Sequence, residues 1–502
     1  MDASTDPFHA ARNHFDSLLR RLGADEAARM THTDVEVLVE KEGREALRLA
    51  FQGHLDLRAS RARETRPASV VGTDGHERSH LRDSSRLVQV VFGEVTVTRT
   101  AYSYPGVPVL FPLEADLNLA PDSYSLTLRA RVAEHALGGS YERAVDLLER
   151  NAGTTIAKRQ AEEITVRSAV DFDDFYASRA GQPPKGAEDL LVLTMDGKGV
   201  IMRHDSLREA TRRAAERAVH KLETRLSPGE KSNRKRVAEV ASVYSVPRWM
   251  RTAADVVGEL DGERPTRPKV HAKRVWASIV KDAKGVIEDV FAEAQRRDPK
   301  HERRWVLLVD GNADQIRYAK AAAKRYGVQI TLILDLIHVI EYLWKAAWCF
   351  HAKGDEAVEA WVRERLRAIL CGKSSDVAAG IRRSATLREL GADERIGADK
   401  CCDYLLNHRA MLRYDLHLAD GLPIATGVIE GACRHLVQDR MDVTGARWGL
   451  DGAEAILRLR SLYASGDLDA YWTWHRRAEF QRNHLQNYAD GTLDAHPLRL
   501  AA

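Results

Sequence analysis

Short runs of consecutive apolar residues punctuate the middle of the chain: Leu190 to Met195, Trp305 to Val309 and Val328 to Leu334. Their length and Val/Leu content predict buried strands. A further strand is expected over Val237 to Val246, behind the basic run Arg234, Lys235, Arg236. Between and after these runs the period changes to the helical one. A long amphipathic helix is predicted over about Lys269 to Gln295, another over Asp314 to Tyr326, and helices almost throughout from His338 to about Leu416. Strands alternating with helices imply an α/β fold, a mixed sheet covered by helices on both faces and interrupted by an α-helical insertion.

Ahead of this core the pattern is different. Residues 1–60 mix apolar and charged positions at largely helical spacing, with Val35 to Lys41 more ambiguous. Arg61 to Ser85 is polar, with Gly72 and Gly75, and reads as a linker. Leu87 to Phe92 and Val95 to Tyr102 then predict a β-hairpin turning through Gly93 and Glu94. From Ser123 the helical period returns. Ser140 can cap Tyr141 to Arg150, Gly153 lies in a turn, and Thr155 can cap a helix starting at Ile156. Two short helices around a glycine turn outline a helix-turn-helix, which would offer Lys158, Arg159 and Gln160 to DNA; any αα-hairpin fits the outline equally well. The resulting division is 1–60 helical, 61–120 linker and hairpin, 121–180 helix-turn-helix, 181–338 first part of the core, 339–420 helical insertion, and 421–502 the last core helix and C-terminal helices.

The chain has 502 residues, enough for two or three domains, and its charges nearly cancel at net +3. Affinity for nucleic acid therefore has to come from local basic patches. Arg234, Lys235 and Arg236 form one. Arg208, Arg212, Arg213, Arg217, Lys221 and Arg225 recur at near-helical spacing, with Glu209, Glu216 and Glu223 between them, and predict a solvated helix face. The five cysteines show no zinc spacing and no CxxC pair, which points to free thiols in a reducing cytoplasm. No apolar run reaches the ~18 residues of a membrane span, and the first residues lack the pattern of a secretory signal. A cytoplasmic protein without a membrane partner is expected.

The candidate chemistry sits at three acidic turns. Asp196 and Asp310 each follow an apolar strand and precede a glycine, so each is expected at the carboxyl end of its strand, where the glycine lets a substrate or metal approach the backbone. Glu430 opens a helix for which Thr426 is the expected N-cap, with Glu430, Arg434, Val437 and Met441 on one face. Hard carboxylate oxygens from three distant elements suit two divalent metals and phosphodiester chemistry.

Several longer phrases carry a resemblance: MDGKGVIMR from Met195, NRKRV from Asn233, LDLIHVIEYLW from Leu334, GVIEGAC from Gly427 and TGARWG from Thr444. With these the chain, from about Leu87 to Trp474, resembles the ISKra-type transposases of bacterial insertion sequences. The resemblance implies a DDE transposase with a ribonuclease H-like core, in which a helical insertion precedes the final Glu. Carried over, Asp196 is the first ligand and Glu430 the last. Asp310 is favoured as the second, with Asp335 of the D-x-x-H phrase as the alternative and His338 as a phosphate-orienting group. Two Mg²⁺ ions, for which Mn²⁺ can substitute, would be held by these acids. Lys198, Arg434 and Arg447 would neutralise phosphate charge, and Trp448 is either a base-stacking or, more simply, a core residue. The implied partner is double-stranded DNA, the element's terminal inverted repeats and its target. Pairing two ends implies a homodimer or larger assembly, associated with the bacterial nucleoid when bound. The chain has Tyr104, Pro105 and Gly106 where relatives often carry a cysteine pair after the hairpin, and Ala425-Thr426 where they often have Gly-Ser. A domesticated, catalytically silent DNA-binding relative is the alternative. A recombinase acting through a covalent protein–DNA link and a carboxylate glycosidase are further readings; the basic run and the lack of aromatic clusters weigh against the glycosidase.

Overall fold

The computed structural model describes residues 6–179, 189–219, 221–222, 224–227, 230–258, 266–443, 445–489 and 493. Glu223 and Thr444 lie outside the described residues. The chain is mixed α/β and divides into two compact units, one from residues 1–177 with 468–502 and one from residues 178–467. The terminal helix Leu468–Asn483 therefore belongs with the N-terminal residues, not with the core helices of the predicted 421–502 segment.

In the first unit, α1 (His9–Leu22) packs along the 33-residue α2 (His32–Glu64), which absorbs the ambiguous Val35 to Lys41. Its N-terminus is a capping box, with Thr31 Oγ1 accepting from Asp34 N at 3.3 Å and Asp34 Oδ2 accepting from Thr31 N at 3.2 Å. The expected linker is instead structured: β1 (Val70–Val71) pairs with β2 (Glu77–Arg78), and β3 (His80–Val90) pairs with β4 (Gly93–Ser103) in an antiparallel hairpin. The turn falls at Val91 and Phe92, ahead of the predicted Gly93-Glu94, because Gly93 already pairs with Val90 at a φ of +119°. The polar first half of β3 hid the strand. Its side chains are mostly exposed or half-buried, while Val88, Val90, Val95 and Val97 close a small core with Leu55.

Helices α3 (Leu126–Gly138), α4 (Tyr141–Ala152) and α5 (Lys158–Arg167) pack on one another. Ser140 Oγ caps α4 by accepting from Arg143 N at 3.1 Å, and Gly153 closes the helix at φ +61°. Helix α5 starts at Lys158 with Ala157 as N-cap, so Thr155 is not its cap; Gln160 Oε1 reaches back to Ala157 N at 3.3 Å.

The second unit is built on a five-stranded sheet of order β7-β6-β5-β8-β9, with β5 (Leu190–Ile201), β6 (Lys235–Val246), β7 (His271–Ser278), β8 (Trp305–Val309) and β9 (Ile330–Leu334). β6 is antiparallel to both neighbours, whereas β5, β8 and β9 run parallel. Leu190 to Met195 and all of β8 are buried, as expected of strands covered by helices. The predicted helix over Lys269 to Gln295 is in fact β7 followed by α6 (Ala283–Arg297). Charged Arg274 disguised the strand; it is buried because Glu293 of α6 accepts from it and, at 2.7 Å, from Arg297.

After α7 (Ala313–Tyr326) and β9, helices begin at α8 (Leu336–Ala347), two residues before the predicted start, and continue through Ala357–Leu370, Ser374–Leu387, Ile396–Asn407 and Tyr414–Ala419. The chain then returns to the sheet through α9 (Gly427–Ala432) and α10 (Leu450–Ser465), which pack on β5 to β7 and on β7 respectively. Among its described residues the basic segment after β5 holds a 3-10 turn, His204–Ser206, and one α-helix, Glu209–Arg217. Among the described residues no helix is long and apolar enough to cross a membrane.

Candidate active site

Strand register brings the first two acids together. Thr194 of β5 pairs with Leu308 of β8, and continuing two residues sets Asp196 level with Asp310. Asp310 does follow the end of β8. Asp196 does not end its strand, since β5 runs on to Ile201 against β6; what ends near it is the parallel pairing to β8. Both glycines are required by close packing. A Cβ on Gly197 would lie 2.9 Å from Val237 Cγ1, and one on Gly311, whose φ is +96°, would lie 2.8 Å from the Tyr404 ring.

The helical insertion holds the Asp310 turn. Tyr404 donates its hydroxyl to Asp310 O at 2.8 Å, and His408 Nε2 lies 3.1 Å from Gly311 O. Tyr342 of α8 stacks on Tyr404 at 3.9 Å. Burial, then the charge of Asp310, pushes the Tyr404 phenol up, so it remains a donor. On its own side the Asp310 carboxylate accepts from Asn312 N at 2.7 Å, and Asn312 in turn caps α7.

Asp335 is differently employed. It ends β9, is 1% exposed, and accepts four hydrogen bonds: Thr426 Oγ1 at 2.6 Å, Thr426 N at 3.2 Å, His338 Nδ1 at 3.1 Å and Ile337 N at 3.3 Å. Thr426 thus spends its hydroxyl on Asp335 and makes no side-chain cap to α9, contrary to expectation. Asp335 is a buried clamp that fixes the start of the Glu430 helix beside β9.

Glu430 itself is exposed on α9. Burial and the negative charges of Asp335, Asp196 and Glu341 raise its carboxyl above the usual range, against the opposing pull of His338. Beyond Glu430 the helix widens into a π-helical turn, Cys433–Gln438. Such turns shift the register of a helix and recur at functional sites. Here it separates the predicted face: Val437 and Met441 are buried, while Glu430 and Arg434 are exposed. Arg434 lies 4.0 Å from Asp439 rather than pairing with Glu430. The same turn aims Cys433 Sγ at Asp196 Oδ2, 3.3 Å away, with the thiol held protonated by burial and by Asp196. Lys198 shares the Asp196 face of β5 and lies close enough to Cys433 to oppose that push.

His338 faces the same cluster. Its bond to Asp335, with the charges of Asp335, Asp310 and Glu341, lifts it to about 9 despite burial, so it is an imidazolium at neutral pH. Glu239 was not foreseen. It sits on β6 opposite Gly197, and burial raises its carboxyl to about 7, with Asp196, Asp282 and Asp310 adding to the rise and Arg208 opposing it. A lone Glu inside the apolar run of β6 was the only signal for it in the sequence.

Ligand geometry sets one limit. The oxygens of Asp196, Asp310 and Glu430 do not all lie within 4.8 Å of one another. Among the described residues the group that meets this spacing is Asp171, His475 and Glu479, a buried set in the first unit that could hold a metal ion. Its atoms are already engaged: His475 Nδ1 lies 2.6 Å from Asp171, Glu479 accepts from Asn483 at 3.0 Å and Arg129 at 3.3 Å, and Arg482 donates to both acids.

Among the residues expected to touch DNA, Lys158, Arg159 and Gln160 are exposed on the first turn of α5, although Arg159 bonds Glu163 at 3.1 Å and Lys158 lies 4.0 Å from Glu142. Arg234 and Lys235 are exposed. Arg236 is not free for phosphate, because its guanidinium donates to Ile279 O, Ser206 O and Val280 O. Trp448 is a core residue: it is 6% exposed, donates to Met441 O at 3.1 Å and carries Arg440 over its ring. Its backbone extends the sheet past Ile201, with Trp448 N bonded to Ile201 O and Arg203 N to Trp448 O. That places Arg447 at the far end of β5, about 20 Å from Asp196 for six strand residues, and not among the acids. There Arg203, Arg234 and Arg447, from three adjoining backbones, line a cavity of about 360 Å³ with no acidic residue in its lining.

The chain matches no protein-family model and no curated protein.

Proposed function

We propose that the protein is a DDE transposase of the ISKra type that cuts and joins DNA at insertion-sequence ends with divalent metal. The observation that carries this reading is the placement of Asp196 and Asp310, from distant parts of the chain, level with each other on the neighbouring strands β5 and β8, with Glu430 near enough for the Asp196 charge to act on it. The order β7-β6-β5-β8-β9, with only β6 reversed, supports a ribonuclease H-like core. The motif residues have physical surroundings that suit this reading: Asp335 bonds His338 and the start of the Glu430 helix, Arg447 lines the basic cavity and Trp448 packs in the core.

The residues fit a pair of Mg²⁺ or Mn²⁺ ions. All three donors are hard carboxylates, Glu430 has no side-chain partner among the described residues, and its carboxyl is raised by burial and then by the neighbouring carboxylates, both of which a bound cation would offset. A pair of ions would not require all three oxygens within 4.8 Å of one another, since each ion would be held by only some of them. When bound, they supply Lewis acidity and lower the pKa of the attacking hydroxyl.

The side chains then divide the work. Asp196, on the central strand, would hold the ions together with Asp310 and Glu430. His338 and Lys198 put positive charge beside the non-bridging phosphate oxygens. Water attacks phosphorus in line and the strand's 3′-oxygen leaves as a hydroxyl; that 3′-hydroxyl then attacks a target phosphodiester, expelling its own 3′-oxygen. Asp335 orients His338 and the Glu430 helix. The cavity of Arg203, Arg234 and Arg447 binds backbone phosphate, and α4 and α5 act as the helix-turn-helix. Two ends are paired by a dimer or larger assembly.

Purified protein incubated with end DNA and Mg²⁺ is expected to nick it, and Asp196→Asn, Asp310→Asn and Glu430→Gln are each expected to abolish nicking while DNA binding persists. Binding without nicking by the wild type would leave a silent DNA-binding relative. A covalent protein–DNA adduct surviving denaturation would replace the DDE mechanism altogether.

A further inference from the structure

In the first unit, α1 and α2 form an antiparallel hairpin through the short turn Ala27–Arg29. Contacts mark the faces they turn to each other: His14 Nε2 and Arg21 Nη1 each lie 3.1 Å from the Glu42 carboxylate, Leu18 between them is buried, and Gly53 lies against Pro7 and Phe8. The flank of α2 one residue back from Gly53 is taken by β4, because Gln52 Nε2 donates to Thr96 O at 2.9 Å and Arg48, a turn earlier, donates to Glu94 O at 3.1 Å. The flank one residue further on is open. Phe15 and Leu19 follow His14 and Leu18 on α1, Gly43 follows Glu42 on α2, and Val39 and Leu47 lie one turn to either side of Gly43. Antiparallel helices are related by a local two-fold normal to their plane, so this flank opens to the same side on both.

The open side is apolar where a surface helix is ordinarily polar. Phe15, Leu19 and Leu47 are 50%, 51% and 54% exposed, and Val39 is 40% exposed. Ala11, Phe15, Leu19 and Leu22 on α1 and Val39, Gly43, Leu47 and Ala50 on α2 share one spacing, i, i+4, i+8 and i+11. Nothing lies within 4 Å of where a Gly43 Cβ would be, so Gly43 leaves a hole in the stripe between Val39 and Leu47. Charge says what covers it. On α1, Arg12, Arg20 and Arg21 outnumber Asp16, whereas in the first half of α2 Asp34, Glu36, Glu40, Glu42 and Glu45 outnumber Lys41 and Arg44. A two-fold axis parallel to the helices lays α1 of one copy on α2 of another, opposite in direction and in charge, as a four-helix bundle. It also sets Phe15 and Leu19 of one copy to either side of the Gly43 hole of the other, since the pairing of His14 and Arg21 with Glu42 puts all of these at one level. With 14 residues α1 is about 21 Å long, and helices pack about 8–10 Å apart, so the face projects about 400 Å² on each copy. Interdigitated side chains raise the accessible area lost above that projection, which places the pairing at the lower end of specific interfaces and makes it reversible.

We propose that this face of the α1–α2 hairpin is a docking surface for the same hairpin of a second copy of the chain, α1 against α2, and that it joins two copies without DNA. The surface stands whatever the chain does to DNA; its use in holding two DNA ends together rests on the transposase reading.

Sedimentation velocity of the full-length protein in the absence of DNA tests this. The wild type is expected to pass from monomer to dimer as its concentration rises, with a Kd on the order of micromolar. Leu19→Glu and Leu47→Glu, each at an exposed position, are expected to weaken dimerisation at least about tenfold while circular dichroism and Tm stay those of the wild type. A charge exchange tests the arrangement without relying on those variants. Arg12→Glu with Arg20→Glu in one protein, and Glu36→Lys with Glu40→Lys in another, are each expected to stay monomeric, and their equal mixture is expected to form a heterodimer. Only the mixed pair sets an acidic α1 on a basic α2 and a basic α1 on an acidic α2; a loss of stability within one chain would not be repaired by mixing. A wild type that is monomeric at every concentration overturns the proposal. So does dimerisation that Leu19→Glu and Leu47→Glu both retain, or a mixture of the charge-exchanged proteins that stays monomeric. Failure of the transposase reading is seen separately, as a dimer that does not nick end DNA with Mg²⁺.

Discussion

Replacing Asp335 by Ala separates a clamp from a metal ligand. The carboxylate is 1% exposed and accepts from Thr426 twice, from Ile337 N and from His338. Its removal leaves a buried threonine hydroxyl, a backbone N–H and an imidazolium without their acceptor. Hydrogen bonds to charged groups contribute ~1.5–3 kcal/mol each but are not additive within one network, and breaking a buried charged pair costs about 3–5 kcal/mol in total. Asp335→Ala is therefore expected to destabilise the protein by about 3–5 kcal/mol, lowering its Tm on the order of 10 °C. Asp310→Ala removes a half-buried carboxylate with one backbone bond, Asn312 N at 2.7 Å, and is expected to cost only about 1 kcal/mol. Urea and thermal denaturation followed by tryptophan fluorescence give the stabilities, and nicking with Mg²⁺ at a temperature where both variants are folded gives the function. Asp310→Ala should be folded and inactive. An Asp335→Ala protein that melts with the wild type but has lost metal binding, beside an active Asp310→Ala, would refute the reasoning and move the second ligand to Asp335.

Other outcomes follow from the same geometry. His338 is raised to about 9, so the stability its bond to Asp335 contributes is complete below the unfolded value near 6.5 and is lost as pH rises through 9; denaturation midpoints measured from pH 6 to 10 should fall, and His338→Gln should flatten the decline. Glu239, raised to about 7 by burial, acts in the opposite sense to a paired acid: its ionisation weakens the fold as pH rises through 7, so Glu239→Gln is expected to be more stable at pH 8, on the order of 1 kcal/mol after solvent screening, and no different at pH 4. Gly311→Ala forces a Cβ to within 2.8 Å of the Tyr404 ring at a φ of +96° and should cost about 1–3 kcal/mol, measured as a shift in the urea midpoint. Substituting Arg203, Arg234 and Arg447 by Gln should reduce the slope of log K against log salt for DNA by up to about 0.9 for each phosphate no longer neutralised, whereas Trp448→Ala should lower Tm before it touches that slope, at about 3–5 kcal/mol for an emptied aromatic site.

Local pattern alone determined a good deal. Leu190 to Met195, Trp305 to Val309 and the helix after Asn312 were legible because each is apolar or capped in its own right. Elements stabilised by distant partners were not legible. β7 contains an arginine that only Glu293 makes buryable, and β3 begins with polar residues whose strand exists because β4 pairs with it. The division of labour between Asp310 and Asp335 was equally hidden, since both follow strands; it depends on Thr426, ninety-one residues beyond Asp335, taking up one carboxylate and not the other. Across the π turn at Cys433 Arg434 lies by Asp439 rather than its expected partner, three carbonyl acceptors take up half-buried Arg236, and packing buries Trp448. A carboxylate, an arginine or an indole carries its chemistry in the sequence, but whether that chemistry is used on a ligand or on the protein itself is decided by which acceptors and donors the tertiary fold sets within about 3 Å of it.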